Sequence, residues 1–159
     1  MVNKRIIITI FVLLLVVVLG QTFFVRNNYN INQFIKEQQI ENPQIVTLKD
    51  KSYIFSGTNN IYIYRGKSNY EHYVGEDLGG YIIGGMEKGS VAIIIKNKEI
   101  ANDIWSYTVI LDGIEMEHKI DYKNGNNVIV VDERIWNPTP EFKIIFYNNF
   151  GKEIMMINH

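Results

Sequence analysis

The stretch that decides the fold spans residues 73–95 and reads YVGEDLGGYIIGGMEKGSVAIII. It contains six glycines, so it is either a loop that wraps a phosphate or a series of turns between β-strands. A phosphate loop needs the pattern Gly-x-x-x-x-Gly-Lys-Ser/Thr, followed by a helix whose N–H groups face the anion. In the nearest match, residues 84–90, Lys88 comes one residue too early, and the β-branched run VAIII follows. We therefore predict strands and turns here, and no bound nucleotide.

From residue 45 onward, short apolar runs alternate with turn signals, which is typical of an antiparallel β-protein. The dipeptides Asp112-Gly113 and Asn124-Gly125 suit two-residue hairpin turns, because their central positions need positive φ. The runs predict eight or nine strands, among them 61–65, 81–84, 91–96 and a closing hairpin within 142–157. The predicted fold class is all-β: residues 45–159 match an immunoglobulin-like or fibronectin-like β-sandwich in size and pattern.

The N-terminal region is apolar in a way that predicts membrane insertion. Residues 6–25, IIITIFVLLLVVVLGQTFFV, carry no charge, and as a helix with ~1.5 Å rise per residue they span ~30 Å, enough for a bilayer core. Lys4 and Arg5 precede the run, and basic flanks stay in the cytoplasm. We expect a cytoplasmic tail (1–5), a single-pass anchor in the lipid bilayer, and an extracytoplasmic remainder. A signal peptide cleaved after Gly20 is the alternative.

A polar segment, residues 26–44, separates the anchor from the strands. Asn30 suits the N-cap of a helix and Pro43 suits its end. The helix would have one apolar face, formed by Ile31, Phe34 and Ile35. We predict a solvated juxtamembrane spacer with one short amphipathic helix. The alternative is a helix that packs on the bilayer surface or on a partner helix.

Composition and spacing speak against several function classes. Residues 26–159 hold 14 basic and all 17 acidic residues, so they lack the excess of positive charge that is typical of a nucleic-acid-binding protein. The chain has no cysteine, so thiol catalysis is excluded, and no Gly-x-Ser-x-Gly motif occurs. A zinc site needs three or four ligands, often closely spaced, and His72, His118 and His159 are far apart. We predict no metal, no cofactor and no enzymatic activity.

The strand IYIYR, residues 61–65, supplies the candidate site. Alternate residues of a strand point to opposite faces, and an unpaired tyrosine hydroxyl in a core costs ~1–3 kcal/mol. Ile61 and Ile63 should therefore face the core. Tyr62 and Tyr64 should be exposed ~7 Å apart, where their rings can contact a ligand or a partner.

These expectations define one function and two alternatives. The composition, rich in Ile, Asn and Lys, suggests a bacterium with AT-rich DNA. The expected function is a non-enzymatic, membrane-anchored, extracytoplasmic interaction module of the cell envelope, which binds another envelope protein or itself. The first alternative is a carbohydrate- or wall-polymer-binding module that uses the exposed tyrosine face. The second is a hydrolase.

Overall fold

The computed structural model describes residues 30–136 and 141–159. The predicted tail (1–5), the predicted anchor (6–25) and the cleavage site after Gly20 lie outside the described residues. Within the described ranges, none of the helices has the length and apolar character needed to cross a bilayer.

Two short helices and thirteen strands make up this part of the chain. The helices are α1 (Ile31–Glu37) and α2 (Lys98–Asp103). The strands are β1 (Gln44–Thr47), β2 (Ser52–Ser56), β3 (Asn60–Gly66), β4 (Asn69–Val74), β5 (Glu76–Asp77), β6 (Tyr81–Glu87), β7 (Ser90–Ile95), β8 (Ser106–Leu111), β9 (Ile114–Lys119), β10 (Lys123–Asn124), β11 (Asn127–Val131), β12 (Phe142–Tyr147) and β13 (Glu153–Asn158).

The strands form three antiparallel sheets that stack on one another. Sheet A has the order β1-β2-β3-β4, sheet B the order β10-β11-β7-β6-β5, and sheet C the order β13-β12-β8-β9. One apolar cluster joins sheet A to sheet B and includes Tyr53, Ile61, Ala92 and Ile129. A second, larger cluster joins sheet B to sheet C and includes Val91, Ile93, Val109 and Ile144. Sheet B is therefore the middle layer.

The middle position explains why two strands read as unbroken apolar runs. In β7, Val91 and Ile93 pack toward sheet C, whereas Ala92 packs toward sheet A. In β11, Val128 and Ile129 divide between the same two clusters. A strand covered on both faces needs apolar residues at every position, so it loses the alternation of a half-exposed strand.

Sheets A and B also meet at their edges. On one side the chain passes from β4 to β5 through Gly75, and a β-carbon on Gly84 would lie only 2.9 Å from the Cα of Gly75. A β-carbon on Gly75 would in turn lie 2.5 Å from the Ile82 side chain, so neither position has room for a side chain as the chain is packed. On the other side, Asn124 Nδ2 donates to the carbonyl of Ile45 (3.1 Å). These contacts fix sheet A against sheet B at both ends.

The all-β, antiparallel class and the hairpin turn at Asp112-Gly113 are confirmed, with φ of +52° and +75° at the two turn residues. The turn predicted at Asn124-Gly125 lies one residue later, because Asn124 pairs with Asn127 and leaves Gly125 (φ +57°) and Asn126 as the central residues. The stacked antiparallel sheets are consistent with the predicted β-sandwich, but the predicted number of strands is wrong, since the described residues alone form thirteen. The strand predicted at 81–84 runs on to Glu87, because the chain forms a bulge at Gly85 and Met86, between the Gly84–Ala92 and Glu87–Ser90 pairs, and the strand does not end there.

Candidate functional site

The predicted tyrosine site lies on the outer face of sheet A, and α1 covers it. Ile61 and Ile63 are fully buried between sheets A and B, as predicted. Tyr62 and Tyr64 point to the opposite face, where the fully buried ring of Phe34 lies 4.9 Å from the Tyr64 ring and 6.2 Å from the Tyr62 ring.

Local sequence explains why α1 forms and why it docks here. The Asn30 side chain accepts a hydrogen bond from the Gln33 N–H (3.1 Å), which confirms the predicted N-cap. A helix of seven residues is too short to be stable alone. Its apolar side packs against Ile54 and Tyr64 of sheet A. Four residues of the segment contact this surface: Ile31, Phe34, Ile35 and Ile40. The described part of the predicted spacer is thus packed against the domain and is not a solvated linker.

The predicted exposure is therefore wrong for Tyr64, which keeps only 9% of its surface exposed. Alternation along β3 gave the correct inward pair but did not reveal that a helix covers the other side. Burial raises the pKa of the Tyr64 hydroxyl. Tyr62 is half-buried and stacks on the His72 ring at 4.4 Å. The role of both tyrosines in ligand binding stays a prediction.

A cleft of about 430 Å³ opens where sheets A and B meet α2. Strands β1, β2, β7 and β11, helix α2 and the β10–β11 turn contribute to its walls. Amide side chains dominate the lining, over a floor that includes one aromatic and one aliphatic residue. The lining residues are Asn42, Gln44, Phe55, Gly57, Ile94, Lys98, Asn102, Gly125, Asn126 and Asn127.

Hydrogen bonds within the wall fix three of these amides. Asn127 Nδ2 donates to Gln44 Oε1 (2.6 Å), and Asn126 Nδ2 donates to the carbonyl of Ile95 (2.7 Å). Lys98 is the one titratable side chain among the described residues that line the cleft. This lining can offer many neutral donors and acceptors and a single positive charge. The cleft was missed from sequence because its amides are scattered along the chain and read as turn residues.

A second polar group is a charged cluster that ties sheet A to sheet B. Lys51 Nζ donates to Glu87 Oε2 (2.9 Å), and Arg65 also pairs with the Glu87 carboxylate. Arg65 makes a further ion pair with Glu71 at 3.3 Å. Burial lowers the pKa of the Lys51 ammonium, while Asp50 nearby opposes the shift. Because each charge is paired with an opposite charge, we assign the cluster a structural role: it holds sheet A against sheet B.

A third group surrounds Asp132, a buried carboxylate just after β11. Arg134 donates to both carboxylate oxygens, from Nε (2.9 Å) and from a terminal nitrogen (2.7 Å), and His118 Nε2 lies 3.1 Å away. Burial favours a raised pKa for Asp132, but the bonds from Arg134 and His118 outweigh burial and hold the pKa below its usual value. A His–Asp pair occurs in hydrolytic triads. Here the pair joins β9 to the chain after β11, and Arg134 continues to the carbonyls of Val109 and Ile114.

Strand β9 forms one edge of sheet C and carries exposed apolar residues on its core-facing side. Ile114 and Met116 lie opposite Leu111 and Val109, which are buried between sheets B and C. Ile114 is nevertheless 60% exposed and Met116 45% exposed, and neither belongs to the apolar cluster between sheets B and C. The other face of β9 carries the charged residues Glu115, Glu117 and Lys119. In the described part of the chain, β9 pairs with β8 alone.

No metal site is visible in residues 30–136 and 141–159, where no three His, Asp or Glu side chains come together. His72 bonds Asn60 Oδ1 at 3.0 Å, and His159 continues the main-chain pairing with Phe142. Comparison with known proteins adds no assignment: the chain matches no protein-family model, no curated protein and no solved structure.

Proposed function

We propose that this chain is a non-enzymatic interaction module of the bacterial cell envelope, anchored by residues 6–25, whose extracytoplasmic domain binds an extended segment of another protein along β9. The observation that carries the proposal is an edge strand whose core-facing side has two exposed apolar residues, Ile114 and Met116. Anchoring and orientation rest on the uncharged run and on Lys4 and Arg5.

Exposed apolar residues at a sheet edge favour strand addition. A partner strand beside β9 would cover Ile114 and Met116 and continue the apolar layer between sheets B and C. Full burial of such a side chain contributes about 1.5–3 kcal/mol. With 60% and 45% of their surfaces exposed, the two residues together would contribute roughly 2–3 kcal/mol on binding.

The backbone of β9 supports the same mode of binding. The pair that flanks a two-residue hairpin turn exchanges both of its hydrogen bonds, and bonded and non-bonded pairs then alternate. Leu111 and Ile114 flank the turn, so the N–H and C=O groups of Glu115 and Glu117 point away from β8. An added strand could bond to these groups, as in other complexes formed by strand addition.

The charges on β9 indicate the chemistry of the partner. Glu115 and Glu117 lie on the outer face, so a partner with lysine or arginine at alternate positions would pair with them. The segment best suited is therefore extended, with apolar residues on one side and basic residues on the other. The same carboxylates protect the edge from indiscriminate pairing with neutral strands.

A proline substitution tests the proposal. Glu117→Pro removes the outward N–H but leaves the β8–β9 bonds intact, since proline is tolerated on the free side of an edge strand. Glu117→Gln keeps the N–H and serves as the control. The probe is an eight-residue peptide of alternating valine and lysine, titrated by fluorescence anisotropy into the full chain in detergent micelles.

We expect saturable binding to the wild type, weaker binding to Glu117→Gln, and a loss of about tenfold or more in Glu117→Pro, which is about 1.4 kcal/mol. An unchanged circular dichroism spectrum must show that the variant is folded. Equal binding of the peptide by all three proteins would refute strand addition at β9. A dimer of the wild type that Glu117→Pro dissolves, without peptide binding, would assign the edge to a second copy of the chain and refute the basic partner.

A further inference from the structure

The cleft between α2 and sheets A and B is separate from β9 and has its own chemistry. Its wall contains five amide side chains: Asn42, Gln44, Asn102, Asn126 and Asn127. We infer that this cleft binds a short segment of a saccharide. The inference goes beyond the proposed function, because no residue of β9 lines the cleft and either site can fail without the other.

Amide side chains suit a ligand that is covered with hydroxyl groups. Each amide offers two N–H donors and an oxygen with two lone pairs, and each sugar hydroxyl can both donate and accept. Asn127 is buried and donates to Gln44, but the other four amides of the wall can together satisfy several neighbouring hydroxyls. A purely apolar ligand would leave these groups without partners, which costs free energy on binding.

Part of the site is already ordered before any ligand binds. The bond from Asn127 to Gln44 holds the Gln44 amide, so its Nε2 group remains for other bonds. The bond from Asn126 to the Ile95 carbonyl orients the Asn126 amide in the same way. Side chains that are fixed in advance lose less conformational entropy when the ligand binds.

The charge of the lining favours a saccharide over other polar ligands. Lys98 is the single charged residue among the described lining residues. A polyphosphate would need more positive charge, and an amine would need a carboxylate, which the described lining does not provide. Phe55 and Ile94 add an apolar floor for the C–H face of a sugar ring. Lys98 can also meet one carboxylate or phosphate substituent.

The volume limits how much of a polymer the cleft can hold. About 430 Å³ lies near the lower end of the ~300–1,000 Å³ typical of small-molecule sites. The cleft therefore takes a short part of a chain and leaves the rest in solvent. Glycoside hydrolysis needs a pair of carboxyl groups, and none of the described lining residues is acidic, so we assign binding to this site and not cleavage.

The two helices of the domain supply a matched test. Lys98 and Asn102 are exposed on α2 and four residues apart, and Asn32 and Lys36 form an equivalent exposed pair on α1. The double variant Lys98→Ala/Asn102→Ala removes cleft groups, and Asn32→Ala/Lys36→Ala is the control. The probes are chitotetraose, which carries acetamido groups, and maltotetraose, which carries hydroxyls alone.

Binding is measured by nuclear magnetic resonance on the ¹⁵N-labelled full chain in detergent micelles, from the side-chain amide signals of asparagine and glutamine. We expect one or both sugars to shift the Asn102 and Gln44 signals saturably. Affinity should fall about tenfold in the α2 variant and stay unchanged in the α1 variant. The inference is overturned if neither sugar gives a saturable shift, or if the two double variants weaken binding equally.

Discussion

Replacing Phe34 with alanine should release α1 from sheet A. Phe34 is fully buried, and its ring centroid lies 4.8 Å from that of Tyr70 and 4.9 Å from that of Tyr64. Truncating a buried phenylalanine usually costs about 3–5 kcal/mol. Here the cost cannot exceed the net free energy by which α1 docks on sheet A, because the seven-residue helix can detach instead. That net free energy is small, because ordering the helix backbone costs ~1–2 kcal/mol per residue and offsets much of the gain from packing. We therefore expect the free energy of unfolding to fall by about 2–3 kcal/mol.

The assay is urea unfolding of the full chain in detergent micelles, followed by the fluorescence of Trp105 and Trp136. Lys36→Ala on the exposed face of α1 is the control, and its effect should stay within about 0.5 kcal/mol. A second readout follows Tyr64. Burial raises the pKa of its hydroxyl, so release of α1 should return that pKa toward the value of a free tyrosine, measured by ultraviolet titration.

The reasoning is refuted if Phe34→Ala is as stable as Lys36→Ala and Tyr64 titrates as in the wild type. That result would mean that α1 does not cover sheet A in solution. The outer face with Tyr62 and Tyr64 would then be open, as the alternation of β3 alone suggests.

Three further predictions concern the anchor, the domain boundary and a buried charge. Protease added to intact cells should remove residues 26–159; protection would contradict the predicted orientation, and a mature form that begins near Gln21 would show cleavage. Fragments that start at Asn30 and at Pro43 should both give all-β circular dichroism spectra, and the shorter one should unfold at lower urea because it lacks α1; equal midpoints would show that α1 contributes nothing. Asp132→Asn should cost about 2–3 kcal/mol at neutral pH. Because the folded protein lowers the pKa of Asp132, the ionised carboxylate stabilises the wild type at pH values above the unfolded pKa of ~3.9. This contribution disappears as pH falls through the folded pKa. The free energies of unfolding of the two proteins, measured from pH 2 to 7, should therefore converge at acid pH.

The sequence revealed the elements whose signals are local. Asp112-Gly113 predicts its hairpin because positive φ is a property of those two residues, and Ile61 and Ile63 are assigned to the core by alternation within one strand. In contrast, β4 (NYEHYV) is largely exposed, so it lacks the apolar pattern by which strands are recognised. Helix α2 has only six residues and buries one of them, Ala101, which is too little for a helical period.

The parts that could not be predicted depend on contacts between distant segments. Whether Tyr64 is exposed depends on Phe34, thirty positions earlier. The third sheet was missed because the run VAIII in β7 shows that a strand is deeply buried, but not how many layers bury it. The cleft depends on Gln44 and Asn127 meeting across sheets A and B, and nothing near either residue in the sequence indicates that contact.

The middle position of sheet B also sets the order in which backbone amides exchange with deuterated solvent. Amides of β4 and β9 lie in edge strands and become accessible through small local openings. Amides of β7 pair with β6 and β11 within the sheet, and sheets A and C cover both of its faces. No single outer layer can move aside and expose them, so their exchange should require unfolding of the whole domain. The slowest amides of β7 would then report the global stability directly.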